Sequence, residues 1–98
     1  MKLGVLVSDF RNMDDIVSRL KADKLGVIFV SNGVYHAAVK EGGKKSSILE
    51  KSPHLYVLSE DLESRGFSES EIDDRVRSIT YSGLVDLIFN EYEKIIWI

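Results

Sequence analysis

Hydrophobic and polar positions along this chain follow two rhythms. The run Val27-Ile28-Phe29-Val30 has no polar residue at alternate positions. A strand with one wet face would alternate, so this run predicts a strand covered on both faces, interior to a mostly parallel sheet. Ser31-Asn32-Gly33 interrupts it, and Val34-Tyr35-His36-Ala37-Ala38-Val39 continues as a helix. The joint places Asn32 and Gly33 at the carboxyl end of a central strand, where ligands and partners sit in open α/β sheets.

The same reading extends along the chain. Leu3 to Ser8 forms a first strand, turned by Asp9-Phe10-Arg11, with Asn12 as a cap. Met13, Ile16, Val17 and Leu20 then recur on one helical face. Gly42-Gly43-Lys44-Lys45-Ser46-Ser47 reads as a solvated loop, and Ile48-Leu49-Glu50 as a helical turn or connector. His54 to Leu58 is a third strand, and Ser59 is placed to cap a helix through Arg65 that Gly66 stops. Ser68 and Glu71 have capping-box spacing. Arg75 to Ile79 alternates like a strand with one wet face or one near an edge. A last helix spans Ser82 to Glu91, its inward face made by Tyr81, Leu84, Val85 and Ile88 and widened by Leu87 and Phe89. Lys94 to Ile98 closes as a strand. Strands alternating with helices predict a single-domain, three-layer α/β sandwich over residues 1–98, with a mostly parallel five-stranded sheet.

Composition narrows the function. The 98 residues are 44% hydrophobic and 30% charged, ordinary for a soluble globular chain. A net charge of −3 gives no electrostatic footprint for direct nucleic-acid binding, and no apolar stretch approaches membrane-spanning length. The apolar part of the N-terminus is too short for a signal peptide and lacks a cleavage pattern, so the expected compartment is the cytoplasm. The sequence has no cysteine, which excludes disulfides, thiolate metal sites and a thiol nucleophile from these residues.

Candidate chemistry is sparse. Gly43-Lys44 beside Ser46 only superficially suggests a phosphate loop, because Lys45 stands at the Ser/Thr place and a helix precedes it. His36 and His54 have no partners at metal-ligand spacing, so neither a metal nor a cofactor is expected. His36 falls in the first turn of its helix, near the crevice, where it could touch a ligand; the blander reading is a helix-surface histidine. Glu60 and Asp61 read as first-turn acids that favour the helix dipole rather than as an acid–base couple. Asn32, Gly33 and Val34 offer either a positive-φ turn or a close backbone approach, with free amides for an anion. That leaves open a stand-alone, homo-oligomeric small-ligand or anion-binding module. Trp97 is core filler or an interface anchor.

Several segments together resemble a known family. They are Asn32-Gly33-Val34 after an apolar strand, Tyr56 to Gly66, Ile79 to Leu87, and the terminal Trp97. In order and spacing they are similar to the TusB/DsrH family, most specifically in Leu58-Ser59-Glu60-Asp61-Leu62-Glu63-Ser64-Arg65-Gly66. Residues 42–51 depart most, as extra loop length. The resemblance implies a DsrE/F/H-like α/β fold and a role in sulfur relay. Its members sit with TusC/DsrF-type and TusD/DsrE-type sister subunits in a heterohexamer. That complex passes persulfide sulfur toward 2-thiolation of the tRNA wobble uridine, or serves sulfur oxidation. The sulfur-carrying cysteine belongs mainly to the TusD/DsrE type. A chain without cysteine is then expected to be a non-catalytic docking subunit, or a homo-oligomer where sisters are lacking. Glu60, Asp61, Arg65, Tyr81 and Trp97 are the expected interface residues.

Overall fold

The computed structural model describes residues 1–11, 14–38, 40, 41 and 44–98, with the backbone alone at 40, 41, 44 and 45. The strands are β1 (Lys2–Val7), β2 (Lys24–Phe29), β3 (Lys40–Glu41), β4 (Lys44–Lys45), β5 (His54–Leu58), β6 (Val76–Ile79) and β7 (Lys94–Trp97). The helices are α1 (Asp14–Ser18), α2 (Tyr35–Ala38), α3 (Ser59–Ser64) and α4 (Tyr81–Glu91). Five strands form a wholly parallel sheet in the order β6-β5-β2-β1-β7, and β3 and β4 pair as a two-residue antiparallel ribbon.

That order explains the layering. Three successive steps, β1 to β2 to β5 to β6, move in one direction, so right-handed crossovers carry α1, α2 and α3 over one face. The return from β6 to β7 runs the opposite way and carries α4 over the other face. The core divides accordingly. Leu3, Val5, Val7, Val27, Phe29, Leu55 and Val57 pack with Val17, Val34, Ala37 and Leu62 on the three-helix face. Leu6, Ile28 and Leu58 pack with Leu84 on the α4 face, with Leu87 and Ile88 joining from the side. The interior-strand prediction for Val27 to Phe29 is met, since these side chains are fully buried.

Gly4 and Gly26 are register neighbours on the α4 face, and the ring of Tyr92 lies against both. A Cβ at Gly26 would overlap the Tyr92 phenol. Tyr92 is buried, and burial pushes its hydroxyl above the ordinary range, with Tyr56 adding to the rise.

Several elements differ from expectation for local reasons. Helix α1 is one short turn and a half; Val17 points inward, but Ile16 is exposed. With so short a helix, only a narrow stripe meets the sheet. The expected Asn12 cap and the inward Met13 lie outside the described residues, as do Val39 and the Gly42-Gly43 pair. The loop expected at 42–47 includes strand β4. Ser47 to Glu50 is a 3-10 turn that buries Ile48 and Leu49 as part of the core. Ser59 does not cap α3; its hydroxyl donates to Glu60, and Leu58 stands at the cap position. Thr80 caps α4 through the amide of Gly83 at 3.2 Å. Tyr81 and Phe89, assigned inward, are 64% and 80% exposed. Leu84 and Ile88 already fill the narrow strip that one crossing helix can press onto the sheet. The capping box at Ser68 and Glu71 is present, on a 3-10 turn.

Candidate functional site

All five parallel strands end on the same edge, so the turns after β2, β5 and β6 lie beside one another. The turn after β2 is a 3-10 turn, Ser31–Val34, leading directly into α2. Its tightness comes from two residues. Ser31 takes a left-handed backbone with φ 52°, while Gly33 packs so closely on β1 that a Cβ would overlap the Val7 carbonyl. Of the two readings of Asn32-Gly33, the close approach therefore holds at Gly33, and the positive φ falls on Ser31.

The amide of Ser31 donates to the Asp61 carboxylate at 2.6 Å. A carboxylate of α3 thus fills the anion position of this turn. Arg65, in the C-cap of α3, spans the same turn. Its Nε donates to Asn32 Oδ1 at 3.1 Å, its Nη1 to the Asp61 carbonyl at 3.1 Å and to Ser64 Oγ at 3.0 Å, and its Nη2 to Ser31 Oγ at 3.5 Å. These acceptors are neutral oxygens, so the guanidinium charge is positioned by them and not cancelled by them. Glu60 reaches the other way, accepting from the Tyr81 amide at 3.0 and 3.1 Å at the start of α4. That amide holds the Glu60 carboxyl below its ordinary range.

The structure therefore brings Asn32, Asp61 and Arg65 into one hydrogen-bonded cluster and ties it through Glu60 to Tyr81. Ser31 belongs to the cluster and was read from sequence only as a turn residue; its place directly after an apolar strand and before Asn-Gly was the available signal. Val34 is fully buried and supports the turn from below. His36 is 4% exposed, not on a helix surface. Its Nε2 donates to the Asp9 carbonyl at 2.9 Å, which leaves Nδ1 to accept from Ser46 Oγ at 2.7 Å in the neutral ring. The Phe10 and Phe29 rings lie 5.0 and 5.6 Å from it. His36 thus pins the β1–α1 turn to the segment before the Ser47 turn. Trp97, 67% exposed, stands on β7 at the opposite side of the sheet from β6 and Tyr81. Four strand spacings of about 4.8 Å put it roughly 19 Å away laterally.

Chemically, the cluster offers fixed charge and hydrogen-bonding groups. Its carboxylates accept from backbone amides, and no group of three or more metal-ligating side chains occurs among the described residues. The arrangement suits recognition by a rigid surface.

Known proteins agree with this architecture. The family model described as "DsrH like protein" matches residues 8–94. Protein TusB of Photorhabdus laumondii is 28% identical over 83 residues, covering 85% of each chain. Protein TusB of Erwinia tasmaniensis is 31% identical over 94 residues, covering 95% of this chain and 96% of its own. The solution structure of protein Tm0979 from Thermotoga maritima superposes with a TM-score of 0.60 at 22% identity, over 90% of this chain and 93% of that one, which bears on the fold. With a family model spanning most of its length and TusB relatives matched nearly end to end, this chain belongs to the TusB/DsrH family.

Proposed function

We propose that the chain is a non-catalytic subunit of a sulfur-relay complex, acting in the cytoplasm toward 2-thiolation of the tRNA wobble uridine. The observation that carries this reading is a TusB/DsrH-family chain without cysteine. Persulfide chemistry needs a thiolate, so the sulfur must travel on a neighbour. What this chain lends is a surface. The Arg65–Asn32–Asp61 cluster and Glu60–Tyr81 give one edge a fixed pattern of charge, and Tyr81 and Trp97 expose aromatic area of the kind that anchors interfaces. The occupants we assign are cysteine-bearing TusD/DsrE-type and TusC/DsrF-type sister subunits, or a second copy of this chain where sisters are lacking.

Co-expression with the genomic sister subunits, followed by native mass measurement, tests the assignment. A stable hetero-oligomer, with loss of wobble-uridine thiolation on deleting this chain, is the expected result. A solitary monomer in every mixture, with thiolation unchanged on deletion, would sink it.

A further inference from the structure

A second polar feature lies away from the carboxyl edge. Among the described residues α4 is the one helix on its face of the sheet, and a groove stays open beside β5 and β6 toward their amino ends. The groove has a volume of about 470 Å³, within the range of roughly 300 to 1,000 Å³ of small-molecule sites. Register explains its lining. His54 pairs with Gly26, and Tyr56 with Arg77, so these side chains share the α4 face. Lys24 and Arg75 complete the basic wall, and Glu91 of α4 is the one acidic residue of the lining. In a chain whose net charge, with histidine neutral, is −3, Lys24, Arg75 and Arg77 against Glu91 is a local reversal of sign in the described lining.

Internal pairing offsets Lys24 and Arg75 and leaves Arg77 as the cation of the lining without a carboxylate partner among the described residues. Lys24 pairs with Glu91 at 3.3 Å and sits 5.2 Å above the Tyr92 ring. Arg75 donates from Nε and Nη2 to the buried Asp73 carboxylate, at 2.9 and 3.2 Å, which fixes the guanidinium, and the Glu50 carboxylate adds to the field that holds it charged. Arg77 and the His54 ring have no polar side-chain partner among the described residues. One guanidinium held by Asp73, the Arg77 guanidinium, an imidazole and Tyr56 thus line an open, mostly polar groove. Guanidinium forks match the oxygens of a phosphate group, and a fixed one costs less ordering on binding.

The geometry points to an anion site in this groove that takes a phosphate group, either as the free anion or as the phosphate of a small ester. The site is on the opposite end of the sheet from the Arg65 cluster and does not depend on the sulfur-relay reading. Inorganic phosphate and adenosine 5′-monophosphate, titrated at low salt into the isotope-labelled full chain, are the probes. Amide signals of His54, Tyr56 and Arg77 are expected to shift with a dissociation constant of about 1 mM or tighter. Added sodium chloride should weaken the binding, because the groove is open to solvent. Arg77→Ala is expected to weaken binding about fivefold or more, with Arg11→Ala on the β1–α1 turn as the neutral control. Should Arg77→Ala unfold, Arg77→Gln keeps most of the stem and carries the same expectation. Tighter binding of the monophosphate assigns the ester, and equal binding assigns the free anion. Absence of shifts at about 10 mM, equal shifts in the Arg77 variants, or equal shifts with unphosphorylated adenosine would each overturn the site.

Discussion

At the scale of single residues, Gly33 and Gly66 need their missing side chains for different reasons. Gly66 ends α3 with φ 81°, and a Cβ there would meet nothing within 4 Å. Gly33 has ordinary backbone angles, but its Cα rests on the end of β1, where a Cβ would overlap the Val7 carbonyl. Backbone cannot step aside as a flexible side chain can. Gly66→Ala is therefore expected to cost about 1 kcal/mol, the ordinary penalty of a left-handed alanine. Gly33→Ala is expected to cost about 4 kcal/mol or more, because β1 and the turn after β2 must separate. Chemical denaturation of the two variants checks the ranking; a Gly33→Ala protein as stable as Gly66→Ala would contradict the contact. Sequence reading reached the importance of Asn32-Gly33 through the chain break it makes in an apolar run. It could not separate close approach from positive φ, because the partner of the contact, Val7, is distant in sequence.

At the scale of elements, the five strands of the parallel sheet were legible, the β3–β4 ribbon was not, and helix faces were only partly so. A buried parallel strand is a contiguous apolar run, visible without knowing its neighbours, whereas the inward side of α4 depends on how much sheet the helix covers. Leu84 and Ile88 suffice for a single crossing, so Tyr81 and Phe89 turn outward despite their spacing. Helix α4 also depends on an acid from another element. Glu60 takes the place of an anion at its first turn, and the Tyr81 amide lowers the Glu60 carboxyl from its ordinary value. A lowered folded-state value means that the unfolded chain binds the proton more readily. The stabilisation is thus fully present above about pH 5, beyond the ordinary glutamate value, and is lost as pH falls through the lowered one. Glu60→Gln is expected to melt at lower temperature than the parent at neutral pH, with the two melting curves converging on acidification. A gap that stays constant between neutral and acid pH would argue that the carboxylate charge does nothing for α4. The Arg65–Asn32–Asp61 cluster was legible only as residue types, since its members meet across a crossover that spacing alone does not reveal.

At the scale of the whole molecule, the unequal coverage of the sheet decides what surface remains. Three helices close one face, while α4 is the one helix of the described residues over the other, with the basic groove beside it and Trp97 on the β7 edge. The groove escaped sequence reading because Lys24, His54 and Arg77 come from three strands whose adjacency only the sheet order creates. Trp97 did draw notice, and its exposure now separates the two readings made of it. A side chain 67% exposed contributes little to the core, so its removal should leave the isolated chain almost as stable. An aromatic anchor in an interface, by contrast, commonly carries about 2 kcal/mol or more of binding energy. Trp97→Ala is therefore expected to shift the melting temperature of the isolated chain by no more than about 2 °C, yet to weaken assembly with the sister subunits proposed above about tenfold or more. Sedimentation of the mixed subunits at falling concentration measures the second effect independently of the first. Undiminished assembly of Trp97→Ala would move the interface away from the β7 edge and leave the Glu60–Asp61–Arg65 side of the sheet to carry it alone.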